Sequence, residues 1–212
     1  MKKVIIFGAS GALGTACVDE FESRNWEVVR IGRDLTDLHN IADISAAIWA
    51  QGGNFTGNIS ETSENVWLEL WEANVGYIVK SLTIMTNSNV LLPDSRLVIL
   101  GSVWQNVARA NKTAYMATKS ALSGIIRGLA VEFGPKNVSI NGVLPGIIST
   151  PMTDKNLTAE QISDVEKGTP GGKLVTPTQL AKIVRFLASD EASGINGQSI
   201  VVDNGWAQSR DV

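Results

Sequence analysis

Residues 3–14 read Lys3-Val4-Ile5-Ile6-Phe7-Gly8-Ala9-Ser10-Gly11-Ala12-Leu13-Gly14, and this stretch decides the fold. Lys3 to Phe7 is a short apolar run of the kind that forms a strand buried on both faces. Gly8 to Gly14 is built of glycine and small residues and opens into a segment with Leu13, Cys17 and Phe21 at helical spacing. A strand, a glycine-rich turn and a helix in that order let the backbone turn sharply. They also leave the unpaired N–H groups of a helix N-terminus facing an anion such as a diphosphate. Purely structural turns use the same residues, so the motif points to nucleotide binding without requiring it.

The next strand expected is Glu27 to Ile31, ending in Gly32-Arg33-Asp34. At the end of this strand in dinucleotide folds, an acidic residue holds the ribose 2′-hydroxyl and a basic one accommodates a 2′-phosphate. Arg33 just after Gly32 favours NADP, with Asp34 keeping NAD as the alternative. Ala46 to Gln51 reads as a further strand, closed by Gly52-Gly53. Too little chain lies between Arg33 and Ala46 for a helix, a strand and another helix, so this half is abbreviated.

From Ser63 to Met85, Trp67, Leu70, Trp71, Val75, Ile78, Val79 and Leu82 repeat at helical spacing, with Asn74 inside the stripe. A buried amide there is either a structural bridge or part of a polar site. The tryptophans read as core or subunit contact. Arg96 to Leu100 is a buried strand ending at Gly101-Ser102, followed by a helix over Thr113 to Phe133 whose apolar face includes Ala117, Ala121, Leu122, Ile125, Leu129 and Phe133. Tyr115 and Lys119 are four residues apart in its first turns, on one face. An ammonium beside a phenol lowers the phenol's pKa, and Ser102 upstream completes a set suited to acid/base work on an oxygen. Val138 to Val143 and Ser199 to Val202 are the last strands, and Thr178 to Ala188 an amphipathic helix. Ile147 to Thr176 shows no long periodic element and reads as a lid-like loop.

The 212 residues suffice for one domain with a full core, and the composition is that of a globular chain, with 44% apolar and 18% charged residues and mean hydropathy +0.08. A net charge of −3 without a Lys/Arg run argues against a nucleic-acid partner. One cysteine, Cys17, and one histidine, His39, make an internal disulfide impossible and argue against a structural zinc. Cys17 reads as core. The apolar run after Met1-Lys2-Lys3 is too short for an export leader and none reaches membrane-spanning length, so a cytoplasmic location is expected.

Taken together, the chain resembles the short-chain dehydrogenase/reductases of the classical type along nearly its whole length. Phe7-Gly8-Ala-Ser-Gly-Ala12-Leu-Gly14 is similar to the family's Thr-Gly-x-x-x-(Ala/Gly)-x-Gly turn, with Phe7 in place of threonine. Asn74, Ser102, Tyr115 and Lys119 fall on its catalytic tetrad. Pro145-Gly146-Ile147-Ile148-Ser149-Thr150 is similar to its Pro-Gly segment. Ser189-Asp190-Glu191 and Asp203-Asn204-Gly205 match its C-terminal pattern, with Asn204 in place of a glycine. Its Asn-Asn-Ala-Gly stretch stands here as Trp49-Ala50-Gln51-Gly52.

The resemblance implies a Rossmann-like α/β fold: a doubly wound parallel sheet in three layers, in a single domain, here lacking the third strand and its flanking helices. It implies reversible hydride transfer between NADP(H), or NAD(H), and a carbonyl or alcohol substrate. Tyr115 would be the general acid/base. Lys119 would lower its pKa and bind the nicotinamide ribose, Ser102 would hold the substrate oxygen, and Asn74 would fix a proton-relaying water. Cofactor contacts would come from Gly8, Ser10, Gly11, Leu13 and Gly14 on the turn, from Arg33, Asp34 and Leu35 at the adenosine end, and from Gly52, Tyr115 and Lys119. Pro145, Gly146, Ile148 and Thr150 would flank the nicotinamide. Trp104, Gln105 and the segment from Met152 to Val175 would line the substrate pocket. A homodimer or homotetramer is expected by the same analogy.

Overall fold

The computed structural model describes residues 1–209, with Met152 and Asn156 described in their backbone only. Six strands form one sheet among these residues: β1 (Lys3–Phe7), β2 (Glu27–Ile31), β3 (Ile44–Trp49), β4 (Leu91–Leu100), β5 (Ser139–Pro145) and β6 (Ser199–Val202). Their order is β2-β1-β3-β4-β5-β6 and every pairing is parallel. The helices are α1 (Ala12–Glu22), α2 (Glu64–Trp71), α3 (Tyr77–Asn87), α4 (Thr113–Phe133), α5 (Pro151–Asn156), α6 (Ala159–Lys167) and α7 (Pro177–Leu187).

Strand alternation sorts the core into two layers. Ile5, Phe7, Ala47, Trp49, Leu97 and Ile99 face α3 and α4, where Ile78, Leu82, Leu122 and Ile126 meet them. Val4, Ile6, Ala46, Ile48, Val98 and Leu100 face α1 and α7, meeting Cys17, Val18, Phe21, Leu180 and Val184. Both faces of a parallel sheet are thus covered, which explains the continuous apolar runs. Cys17 is fully buried, and burial pushes its thiol up to about 12, as befits a core residue rather than a nucleophile.

From β1 the chain runs outward to β2, then returns to lay β3 on the other side of β1. That reversal opens a crevice beyond the carboxyl ends of β1 and β3, the position where open α/β sheets bind ligands. Only a 3₁₀ turn (Thr36–Asn40) joins β2 to β3, so β2 is the sheet edge and the expected missing strand is absent among the described residues.

The structure corrects three expectations. The Ile147–Thr176 segment is not a bare loop: Thr150 caps α5 with Pro151 at its first position, and Thr158 and Gln161 form a capping box on α6. Ser149 and Val175 are joined by a backbone hydrogen bond of 3.0 Å, so both helices form one excursion with a closed base. The Ser63–Met85 stripe is interrupted between α2 and α3 by a π turn at Glu72–Gly76. Trp71 and Val79 face outward, 49% and 45% exposed, which removes the core alternative for Trp71 and leaves that of a subunit contact. Finally, Ala117 is exposed, and α4 turns Ala114, Thr118, Lys119, Leu122 and Ile126 inward.

Candidate active site

A cleft of about 1500 Å³ runs across the carboxyl ends of the strands, large enough for a dinucleotide and a small substrate together. At its β1 end Gly8 has φ +76°, and a Cβ there would come within 2.7 Å of the Gln51 amide nitrogen. A Cβ on Gly14 would lie 2.1 Å from the Gly8 carbonyl oxygen, so this glycine lets α1 pack onto the turn and is not itself on the cleft wall. Gly8, Ser10, Gly11 and Leu13 are on the wall. Gly11 caps α1 without any side-chain hydrogen bond, so the first N–H groups of that helix remain available to an anion. These features fit the diphosphate of a dinucleotide.

The two departures from the family pattern at this end are one structural event. Phe7 and Trp49 are paired in register on β1 and β3, and their rings stack at 5.1 Å. Tyr77 meets Phe7 edge-on at 5.9 Å, and its hydroxyl donates to the Gly32 carbonyl oxygen at the end of β2. Trp49 Nε1 donates to Ser81 Oγ at 2.8 Å. An aromatic cluster thus replaces a polar threonine and asparagine. Beside it, the Gln51 carboxamide is buried with neither polar atom hydrogen-bonded.

Of the three adenosine-side candidates only Arg33 lines the cleft. Asp34 Oδ1 accepts from Thr36 N at 2.9 Å and from Thr36 Oγ1 at 2.6 Å, starting the 3₁₀ turn, and those bonds hold its carboxyl below the usual range. Leu35 packs against the α3/α4 side of the core. The tight turn that replaces the missing strand diverts both.

The other polar residues converge at the centre of the cleft. Ser102 follows β4, and its backbone N–H donates to Gln105 Oε1 at 3.0 Å, while Gln105 Nε2 donates to Ser123 Oγ at 2.8 Å. Gln105 therefore braces Ser102 instead of lining the pocket; Trp104 does line it. Tyr115 stands on α4, with the Ser102 hydroxyl near enough to its phenol to favour the phenolate. Lys119, 5% exposed, lies 5.9 Å from the Tyr115 ring centre and donates to the Leu100 carbonyl at 3.2 Å.

Burial raises the Tyr115 phenol above its ordinary value, and the Ser102 hydrogen bond offsets part of the rise. Burial also lowers Lys119 to about 8. The expected depression of the phenol by its lysine is thus reversed here. Both groups share one desolvated pocket, where each charged form is penalised.

Asn74 sits in the π turn, fully buried. Its Oδ1 accepts from Gly53 N at 2.9 Å, and its Nδ2 donates to Gly53 O at 3.1 Å and Thr118 Oγ1 at 3.0 Å. Both Nδ2 protons are used by protein groups, so the side chain is a brace between β3's end and α4. Pro145, Gly146, Ile148 and Thr150 form the opposite wall. Thr150 Oγ1 accepts from Thr153 N at 3.3 Å as the α5 cap. Gly52 also lines the cleft, and a Cβ there would lie 3.2 Å from Lys119 Nζ. The expectation for Met152 as a pocket residue lies outside the described side chains. Tyr77, Arg109 and Lys112, which also line the cleft, carry no sequence motif and were not foreseen. Among the described residues no cluster of His, Cys, Asp or Glu could hold a metal, and no helix is long and apolar enough to cross a membrane.

Comparison with known proteins agrees with this fold. The family model described as enoyl-(acyl carrier protein) reductase matches residues 28–207. A cyclopentanol dehydrogenase of Comamonas testosteroni is 32% identical over 149 residues, 70% of this chain and 60% of that protein. The 3-oxoacyl-[acyl-carrier-protein] reductase of Salmonella typhimurium is 26% identical over 236 aligned positions, covering 96% of each. The chain thus spans about 60% of the length of the cyclopentanol dehydrogenases it matches. A short-chain dehydrogenase family protein from Francisella tularensis superposes with a TM-score of 0.89 at 20% identity, over 99% of this chain and 100% of that one. A 4-hydroxyisoleucine dehydrogenase complexed with NADH superposes at 0.87 with 21% identity, over 99% and 100%. The chain belongs to the short-chain dehydrogenase/reductase family, classical type.

Proposed function

We propose that the chain, working as one catalytic domain, is an NADP-dependent reductase of a ketone or aldehyde, reversible toward the alcohol. The observation that carries the reading is the Ser102–Tyr115 hydroxyl pair backed by buried Lys119 at the centre of a cleft with a diphosphate cradle at one end. A nicotinamide dinucleotide held by the Gly8–Gly11 turn and the Pro145–Thr150 wall would supply the hydride for the carbonyl carbon. Ser102 holds the substrate oxygen by a hydrogen bond. Tyr115 transfers its phenolic proton to that oxygen as negative charge develops, and solvent reprotonates the phenolate. In the alcohol direction Tyr115 takes the proton back. Donors already positioned at the developing oxyanion need no reorganisation, which is where most of the rate gain arises. Lys119 steadies the transient phenolate. Asn74 keeps the Gly52–Gly53 floor beneath Lys119 in place.

NADP is favoured because Arg33 is on the cleft wall while the carboxylate of Asp34 is turned into its own 3₁₀ turn. NAD remains the competing cofactor, since one solved structure of the same fold is described with NADH. Relatives named for cyclopentanol and for 3-oxoacyl-[acyl-carrier-protein] support an oxygen-bearing carbon as the reacting centre.

The test is NAD(P)H oxidation with a panel of ketones and aldehydes, alongside NADPH binding by fluorescence. Tyr115→Phe is expected to lower kcat at least about a hundredfold with cofactor binding retained. Binding without turnover would leave a dinucleotide-binding protein in place of an enzyme, and an unaffected Tyr115→Phe would remove the phenol from the mechanism.

A further inference from the structure

Two lysines approach the Tyr115 ring, Lys119 at 5.9 Å and the N-cap residue Lys112 at 5.5 Å from the ring centre. Lys119 stands beside Gly52 and the Leu100 carbonyl. Lys112, three residues before the tyrosine, is tied to the segment after the Gly52–Gly53 turn. Its Nζ donates to Asn54 Oδ1 at 2.7 Å and to the Phe55 carbonyl at 3.0 Å, both neutral acceptors. Arg109 lies over the Trp104 ring at 5.7 Å. Its charge, after burial, contributes to lowering Lys112 to about 8.

Both cations line the cleft, and among the described residues neither makes an ion pair. The carboxylates on the cleft wall are Glu69 and Glu72. Glu72 is engaged by Lys80 at 2.8 Å, and neither is within ion-pair distance of Lys112 or Arg109. Of these two charges Arg109 is exposed but Lys112 is buried, and without a carboxylate in reach its charged form is unfavourable in a partly desolvated cleft. A dinucleotide's diphosphate does not relieve it, because its cradle is at the Gly8–Gly11 turn.

We propose that the substrate carries a carboxylate besides its reacting carbonyl, and that Lys112 and Arg109 bind it. This rests on the reductase reading above. The guanidinium offers a planar fork suited to a carboxylate, and Trp104 beneath it limits its freedom. Lys112 keeps a donor proton beyond the two it shares with Asn54 and Phe55. Trp104 and Leu157 supply apolar wall for the carbons between the two polar ends.

The experiment compares oxo acids of graded chain length with their methyl esters, using the full chain and NADPH. The best acid is expected to exceed its ester by about tenfold or more in kcat/KM, the scale of one charge-assisted contact. Arg109→Glu should lower that acid-to-ester ratio by at least about tenfold, chiefly through KM. Lys112→Met should do the same, but it also frees Asn54 and Phe55, so exposed Arg109 is the deciding position. A wild-type ratio near unity, or a ratio that survives Arg109→Glu, overturns the proposal while turnover leaves the reductase reading standing. If no compound is reduced, quenching of tryptophan fluorescence in the NADPH-loaded protein separates the two ideas. Acid-specific quenching lost in Arg109→Glu supports the anion site although the reductase reading has failed. Quenching without preference for the acid overturns the anion site as well.

Discussion

Asn74 grips Gly53 by both backbone groups, accepting from its N–H at 2.9 Å and donating to its carbonyl at 3.1 Å. The π turn at Glu72–Gly76 places this one side chain inside the core, and the third bond to Thr118 carries the brace to α4. Replacement by alanine leaves Gly53 and Thr118 groups unpaired in a buried place. Asn74→Ala should therefore cost about 2–4 kcal/mol in denaturant unfolding, with a larger KM for cofactor. A loss under about 0.5 kcal/mol would make the bridge incidental.

Buried Lys112 and Lys119 both have pKa values near 8, below the ordinary 10.5. Between pH 8 and 10.5 the unfolded chain holds protons that the native chain has released, so stability should rise with pH across that window. The slope is up to about 1.4 kcal/mol per pH unit for each lysine. Above about pH 10.5 the trend should reverse, because Cys17, Tyr77 and Tyr115, all raised by burial, stay protonated in the native chain while their unfolded counterparts ionise. Urea unfolding between pH 7 and 11 measures this. Lys119→Met should flatten the alkaline rise.

On the proposed mechanism the same phenol should set a pH dependence for turnover. Protonated Tyr115 suits reduction at neutral pH, whereas alcohol oxidation needs the phenolate and should quicken as pH rises. Equal pH profiles in the two directions would contradict Tyr115 as the proton carrier.

Arg33 is the one charged side chain from the Arg33–Leu35 trio on the cleft wall. Arg33→Ala should weaken NADPH binding about tenfold or more and leave NADH within about threefold, read by cofactor fluorescence titration. Equal losses for both cofactors would place Arg33 elsewhere than at a 2′-phosphate.

Gln51 buries a carboxamide whose nitrogen and oxygen both lack partners. Gln51→Met should stabilise the cofactor-free protein by about 1 kcal/mol or more, since a thioether has no such desolvation cost. If the amide turns onto bound cofactor, the same change weakens NADPH binding, and both effects appear in one thermal-shift titration.

How far the sequence reached is clearest at β1 and its turn. Lys3–Phe7, Glu27–Ile31, Thr113–Phe133 and Ser199–Val202 carry their own periodicity or punctuation and emerge with the bounds the sequence implies. Tyr115 and Lys119 are legible because helical spacing alone puts them on one face. The helices of the Pro151–Lys167 excursion were hidden because short, capped helices have little apolar period, although Thr150-Pro151 and Thr158-x-x-Gln161 signal them. The outward turn of Trp71 depends on a single extra residue per turn at Glu72–Gly76, which no propensity specifies.

By itself the sequence determined the order of elements and the short connection between β2 and β3, because these depend on local pattern and spacing. Tertiary structure alone decided which neighbours those residues meet. It paired Phe7 with Trp49 across two strands, turned Asp34 into its own 3₁₀ turn, and set Lys112 over the Tyr115 ring and Arg109 over the Trp104 ring. Contacts between residues distant in the chain, and the desolvation they impose on charged groups, arise only when the sheet and its two helical layers close.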